Sequence, residues 1–331
     1  NQLVVKNIMK KAEIYEFFQS LYLFSSLNEE ELSRVVDLFS EVSYSKGETI
    51  FEEGEPGDFF YIVVWGTVKI TREAGYIGKI GSKEYLGEGA LIHNRNRSAT
   101  ATADSAACLL RIDKAAFIHL LNRYPRINKL LNLLTESYSL ARRKVFNWLG
   151  KDEIIRFIDR RHKAVLISRL TLPVMLIIGA FILFLASPTN GLGNIVFFIS
   201  LVIIIPWAIW VWVDWGNDFY IVTDKRIVWL EKVVWFFDQR REAPLETILS
   251  VNSKTSQIQR LIGYADIIVR TYTGQITMRN AAHADELEGM IQEYWHLVEE
   301  RIEEKETKKI TQTIRSRLGF GDEGEDDDKK K

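Results

Sequence analysis

Between Gly87 and Ala101 the chain sets a carboxylate, Glu88, nine residues from a guanidinium, Arg97, among the small residues Gly87, Gly89, Ala90, Ser98 and Ala99. A carboxylate in such a loop accepts hydrogen bonds from a sugar hydroxyl. A guanidinium offers a planar fork that matches phosphate oxygens bidentately. The small residues let backbone approach a ligand, and a short helix starting near Ala90 would aim N–H groups at the same anion. This is the chemistry of a pocket for a sugar hydroxyl beside an anionic phosphate.

The stretch resembles the phosphate-binding cassette of cyclic nucleotide-binding domains, whose pattern is roughly F-G-E-x-A-L, a variable bridge, then R-[S/T/A]-A. Gly87, Glu88, Ala90, Leu91, Arg97, Ser98 and Ala99 match it, with Leu86 where phenylalanine is usual. The run Gly47–Ile62 is similar to the family's first barrel strands, and Gly66 falls where the next glycine is expected. The resemblance covers roughly residues 14–145. It implies an antiparallel β jelly-roll barrel with flanking helices, Glu88 on the ribose and Arg97 on the cyclic phosphate. Gly87, Gly89, Ala99, the N–H groups of Ala90 and Leu91, and Ser98 would complete the site. Serine after the arginine accords in this family with cAMP, cGMP being the alternative, and no cofactor is implied. A barrel that has stopped binding nucleotide is the bland alternative; such copies usually lose the arginine or the glutamate, and both are here.

At 331 residues there is room for two or three domains. The 43 Lys and Arg nearly balance the 44 Asp and Glu, so no basic field argues for a nucleic acid polymer as partner. Cys108, alone in the strand-like stretch 107–112, reads as a small buried residue in a reducing compartment. The five histidines show no metal-ligand spacing, and no nucleophile elbow, P-loop or HExxH motif is present. The chain reads as a binding protein, not an enzyme.

Residues 164–186 and 193–213 are apolar runs, each close to the ~20 residues that cross a hydrocarbon core. The turn between them, Ser187–Leu192, carries no charge. Arg156, Arg160, Arg161 and Lys163 precede the first run, and Lys225 and Arg226 follow the second. By the positive-inside rule this predicts a multi-pass protein of the cell membrane, a two-span hairpin with both termini cytoplasmic. Arg169 would snorkel to the headgroups, and Trp207, Trp210, Trp212 and Trp215 would form an interfacial belt.

The expected organisation is multidomain α+β. Residues 1–125 form the nucleotide-binding barrel with its N-terminal helices, one of them opened by the capping-box-like Asn28–Glu31. Residues 126–163 form a lid helix and basic connector, with helical periodicity over 125–149 that runs on through Lys151 to Arg161 toward the membrane. Leu134, Thr135, Tyr138 and Leu140 are candidate lid residues, equally explained by packing. The hairpin spans 164–215. Residues 216–300 read as strands, including one at Val233–Phe237, closed by a helix at about 284–300. They resemble the bacterial PH-like domain at Thr223–Arg226, Pro244–Ile248 and Leu261–Tyr264, which implies a PH-like β-barrel with a C-terminal helix. Lys225, Arg226, Arg240 and Arg241 are candidates for anionic headgroups or ordinary strand-end charges. Residues 301–331 form a charged tail whose start prolongs the helix and whose end, Gly321–Lys331, is expected to be disordered.

Together these readings describe a membrane-anchored cyclic nucleotide sensor that signals through the lid helix to the hairpin and PH-like domain, with the bilayer and further copies of itself as partners. One version is a nucleotide-triggered membrane effector. The alternative is a structural membrane scaffold with a silent barrel. A gated channel would need a pore loop that the short turn cannot supply. A transcription regulator would need a helix-turn-helix where the first span stands.

Overall fold

The protein is described here by a computed structural model covering residues 9–73, 75–143, 146, 148–150, 153–186, 191–233 and 237–317. Two short helices, α1 (Lys11–Gln19) and α2 (Glu29–Val36), open it. As the sequence predicts, α2 starts in a reciprocal capping box. The Asn28 side chain accepts from the Glu31 N–H at 2.9 Å, and the Glu31 carboxylate accepts from the Asn28 N–H at 3.1 Å. Leu32, Val35 and Val36 form its buried face.

Eight strands follow: β1 (Ser40–Tyr44), β2 (Thr49–Phe51), β3 (Phe59–Trp65), β4 (Val68–Arg72), β5 (Gly75–Ile80), β6 (Tyr85–Leu86), β7 (Thr100–Ala103) and β8 (Ala107–Asp113). The short helix α3 (Glu88–Ile92) lies between β6 and β7. The strands pair antiparallel into two four-stranded sheets, β1-β8-β3-β6 and β2-β7-β4-β5, the two layers of a jelly roll. Tyr61, Val63, Val68, Leu86, Ala101, Ala107 and Leu109 fill the space between them, and Cys108 is buried as expected. Two helices, α4 (Lys114–Arg123) and α5 (Pro125–Arg143), leave the roll.

The next segment departs from the sequence reading. The helix does not run on to Arg161: α5 ends at Arg143, and Ile155–Arg160 is a strand, β9. Ile155 and Ile158 bury on one side of it and Phe157 on the other. The polar look of this segment misleads because partners remote in sequence hold its charges. Arg156 meets Glu84 at 2.9 Å, and Asp159 meets His283 at 3.0 Å. Two apolar helices come next, α6 (Lys163–Ala186) and α7 (Gly191–Gly216), which run through Pro173 and Pro206. They pack on each other and leave most of their outer surface uncovered; Met175 is 69% and Val202 74% exposed. Arg169 reaches Asp214 across the hairpin at 3.0 Å, a partner the snorkelling expectation did not name. Of the expected turn Ser187–Leu192, Gly191 and Leu192 instead open α7, and 187–190 lie outside the described residues.

The chain then returns to β9. Strand β10 (Asp218–Thr223) pairs with it antiparallel, followed by β11 (Arg226–Val233) and β12 (Phe237–Pro244), giving the sheet β12-β11-β10-β9. The expected strand at Val233–Phe237 is displaced: those two residues end β11 and begin β12, and 234–236 lie outside the described residues. A second sheet holds β13 (Ile248–Lys254), β14 (Ala265–Thr271) and β15 (Gly274–Ala281), with a short helix, α8 (Gln257–Ile262), between β13 and β14. The long helix α9 (Ala284–Arg317) packs Leu287, Met290, Ile291, Tyr294 and Val298 into this unit. Its charged end continues the helix as expected, while the tail from Gly321 lies outside the described residues. Two of the cations considered for headgroups or as strand-end charges have carboxylate partners within the protein. Arg226 pairs with Glu153 at 2.6 Å and Glu242 at 2.8 Å, and Arg240 pairs with Glu242 at 3.1 Å.

One continuous hydrophobic core joins the N-terminal helices, the outer face of the jelly roll, α5, the β9–β12 sheet and α9. Its polar edge includes Glu293 on α9, which accepts from the Tyr22 N–H at 3.2 Å and lies 3.4 Å from the Tyr85 hydroxyl. Burial, with repulsion from Glu84, pushes the Glu293 carboxyl up from 4.5 to about 7 against the pull of these hydrogen bonds and of Lys83. A carboxyl raised on folding is most favourable to the fold while protonated. Its contribution is therefore lost as pH rises from the ordinary carboxyl range through about 7. Glu293→Gln should abolish that fall and make the protein about 2–3 kcal/mol more stable than wild type at pH 8, with little difference at acidic pH. Urea unfolding of the full chain in detergent at both pH values measures it; superimposable pH profiles would refute it.

Candidate functional site

Strand β6 delivers the chain to Gly87, which caps α3 with a left-handed φ of 92°. Only glycine fits there. A Cβ at Gly87 would lie 2.4 Å from Arg97 Nη1 and 3.1 Å from the Phe59 carbonyl oxygen, quite apart from the backbone strain. The helix begins at Glu88, two residues earlier than the sequence suggests, so Glu88, Gly89, Ala90 and Leu91 all lie within it. Glu88 is buried with Ala90 and Leu91. Gly57, on the loop before β3, lets Ala90 approach; a Cβ there would stand 2.6 Å from that of Ala90.

Arg97 is fixed at both backbone and side chain. Its N–H donates to Glu55 O at 2.8 Å, and its carbonyl accepts from the Gly54 N–H at 2.9 Å. Its guanidinium donates through Nη1 to Gly87 O at 2.9 Å and through Nη2 to Phe59 O at 2.7 Å. The same group lies 4.2 Å from the centre of the Phe51 ring. Arg97 is 4% exposed, and its Nε is buried with no hydrogen-bond partner among the described residues. Burial lowers its pKa from the usual arginine value, opposed by Tyr61 and the carboxylates of Glu88, Asp58 and Glu55. Arginine remains a cation regardless. The site thus holds a desolvated positive charge with an unused donor, beside a buried carboxylate and a glycine turn. An anion would satisfy that charge and that donor.

The structure therefore brings Gly87, Glu88, Gly89, Ala90, Leu91 and Arg97 together. Ala99 is buried just before β7. Ser98 is exposed, and its carbonyl accepts from Arg72 Nε at 2.5 Å. Phe51, Gly57 and the carbonyls of Phe59 and Glu55 were not singled out from sequence as part of the site. All four lie in or beside the upstream strand run, so proximity of that run to the cassette was the available signal. The candidate lid residues are packing residues. Leu134 and Tyr138 belong to the shared core, Leu140 packs under the β9–β11 sheet, and Thr135 donates to Leu131 O at 2.5 Å. Thr135 also faces α3: a Cβ on Gly89 would come 3.1 Å from its Cγ2.

Residues 41–124 match the family model of the cyclic nucleotide-binding domain, and residues 172–295 match that of the bacterial PH domain. A cGMP-dependent protein kinase of Eimeria tenella is 35% identical over 103 residues, 31% of this chain, and the chain spans 10% of that protein's length. Among solved structures, PKAR CBD2 with Sp-2Cl-cAMPS bound is 26% identical over 40% of this chain and 91% of its own, with a TM-score of 0.36. The regulatory domain of Toxoplasma gondii PKA with cAMP is 24% identical over 39% of this chain and 50% of its own, also with a TM-score of 0.36. The chain carries a cyclic nucleotide-binding domain, which contains every candidate site residue, followed by a bacterial PH domain whose match begins inside α6. Gly87→Ala should destabilise the protein by roughly 1–3 kcal/mol through forced left-handed geometry and displacement of Arg97. Urea unfolding of the full chain reads this directly, and an unchanged midpoint would show that the turn tolerates a side chain.

Proposed function

We propose that this chain is a membrane-anchored receptor for a cyclic nucleotide, with cAMP as the first candidate. The observation that carries the reading is the buried Arg97 guanidinium, with Nε unsatisfied, beside Glu88 and the Gly87 turn. Arg97 would give Nε and one Nη to the cyclic phosphate, and Glu88 would accept from the ribose hydroxyl. Gly87, Gly89, Ala90, Leu91, Ser98 and Ala99 frame the ligand. Ser98 favours cAMP by the family resemblance, whereas the kinase relative is named for cGMP; both nucleotides enter the test.

Two further observations support the membrane reading. Helices of 24 and 26 residues with outward apolar side chains leave a surface that water disfavours and hydrocarbon accepts. The basic flanks and uncharged connection support cytoplasmic placement of both ends. Contacts between the elements also support a route for the signal. Helix α5 touches α3 at Thr135 and holds β9 through Ser137, whose hydroxyl oxygen accepts the Ile158 N–H. Strand β9 ends at Arg160, three residues before α6 begins. A nucleotide that shifts α3 against α5 would thus bias the root of the hairpin, for output as assembly of copies in the bilayer or as altered partner binding. The competing reading remains a membrane scaffold with a silent roll.

Calorimetry on the full chain in detergent, where the shared core stays intact, separates the two. cAMP or cGMP should bind, and Arg97→Ala should lose at least tenfold in affinity, because charge-assisted bonds of roughly 1.5–3 kcal/mol each are removed. No heat from either nucleotide would favour the scaffold. In dye-loaded liposomes, nucleotide should change leakage for wild type and not for Arg97→Ala. Equal leakage with and without nucleotide would refute the effector output while leaving binding in place.

A further inference from the structure

Outside the hairpin, a second group of large apolar side chains stands uncovered, on α8. Ile258, Leu261 and Ile262 are spaced i, i+3, i+4 and so share one helix face. They are 68%, 88% and 44% exposed, and the helix buries none of its residues. Yet α8 is carefully terminated. Ser256 Oγ accepts from the Gln259 N–H at 3.3 Å, Gln259 Oε1 accepts from the Ser256 N–H at 2.7 Å, and Gly263, at φ 92°, donates to Gln259 O at 2.8 Å. A helix held at both ends solely to present three apolar side chains to water has no folding rationale.

Its position supplies one. Gln259 Nε2 donates to the Asn280 side-chain oxygen at 3.4 Å, and the Asn280 carbonyl accepts from the His162 N–H at 2.8 Å. The His162 ring stacks on Tyr264, just past α8, at 5.0 Å between ring centres. His162 immediately precedes α6. Helix α8 is therefore pinned to the root of the hairpin, at the level where the first apolar helix leaves the sheet. The exposed charges nearest α8 in the chain are cations. Lys254, Arg260 and Arg279 are exposed around α8, and Lys163 opens α6. The neighbouring carboxylate, Asp266, instead accepts from the Asn280 N–H at 2.7 Å and from Gln259 Nε2 at 3.3 Å. An apolar face rimmed by cations, beside a bilayer-crossing helix, is the composition of an interfacial anchor.

We infer that α8 is a membrane foot: it lays Ile258, Leu261 and Ile262 shallowly into the headgroup region of an anionic leaflet, adding a contact with lipid that fixes the height and tilt of the PH-like unit. This rests on the reading of α6 and α7 as bilayer-crossing. The contact belongs to the PH-like unit itself and needs no nucleotide.

The test uses the full chain with Cys108→Ala and one new cysteine carrying an environment-sensitive fluorophore, in vesicles of phosphatidylcholine and phosphatidylglycerol. Some of the lipid bears a nitroxide, placed either shallow or deep. Three sites are compared: Leu261→Cys on α8, Met175→Cys in mid-α6, and Tyr272→Cys. Tyr272 is 75% exposed at the far end of β14, about 20 Å along the strand from α8. All three side chains are exposed, so labelling leaves the fold intact. The expected result is shallow-nitroxide quenching at Leu261→Cys, deep-nitroxide quenching at Met175→Cys and neither at Tyr272→Cys. Quenching at Leu261→Cys should weaken when the lipid is purely zwitterionic. If Met175→Cys is quenched and Leu261→Cys behaves like Tyr272→Cys, the foot is refuted and the hairpin stands. If Met175→Cys is not quenched, the membrane reading itself fails. Protection of Leu261→Cys from aqueous iodide without lipid quenching would also overturn the inference, by showing the face covered by another copy of the protein.

Discussion

Much of this molecule depends on the pairing of β9 with β10. The two strands are neighbours in one antiparallel sheet, with Arg160 opposite Phe219 and Ile158 opposite Ile221, although the entire hairpin lies between them in sequence. The hairpin is thus the loop of a greatly extended β-hairpin, and both of its roots must leave the same end of the sheet at strand spacing. Local contacts reinforce this. Arg161 and Asp218, both buried, meet at 2.6 Å, and the Trp215 indole donates to the Arg161 carbonyl at 3.1 Å. Arg169 and Asp214 continue the ladder one turn or two further along. The roots cannot separate without breaking the buried Arg161–Asp218 pair, whose loss costs several kcal/mol.

The same strand ties the nucleotide-binding module to the rest. Arg156 on β9 reaches Glu84, three residues before Gly87, and also donates to Lys79 O at 3.0 Å. Both partners of that pair are buried, so neither can be withdrawn cheaply. Around them runs a common hydrophobic core that includes Phe60 of the jelly roll, Leu134 of α5, Phe157 of β9 and Tyr294 of α9. A boundary drawn near residue 150 would cut through this core. Movement at α3 is therefore mechanically adjacent to α5, β9 and the hairpin root, which a flexible tether between independent domains would not provide.

Legibility from sequence followed the range of the forces involved. The capping box at Asn28–Glu31, the helix closing the strand-rich unit and the two long apolar helices are local patterns, and each is readable. The Gly87–Ala99 cassette was readable because its residue types are constrained by close approach: Gly87 by Arg97, and Gly89 by Thr135. Strand β9 was not readable, because the charges of Arg156, Asp159 and Arg161 resemble a solvated connector until Glu84, His283 and Asp218 are seen beside them. Arg156 and Arg161 also belong to the basic flank on which the expected topology rests. The positive-inside rule concerns charges during insertion and says nothing of where such side chains rest after folding.

By itself, then, the sequence determined the chemistry on offer: a carboxylate and a guanidinium in a glycine-rich turn, strands of a jelly roll, two helices suited to hydrocarbon, and a strand-rich unit closed by a helix. These follow from residue type and short-range spacing, where sterics and periodicity act within a few positions. Only the tertiary structure decided that Arg97 is buried with an unsatisfied Nε, that β9 belongs to the later sheet, that the hairpin springs from adjacent strands, and that α8 sits at its root. Each of these depends on groups far apart in the chain, brought together by burial and by the need to pair charges removed from water.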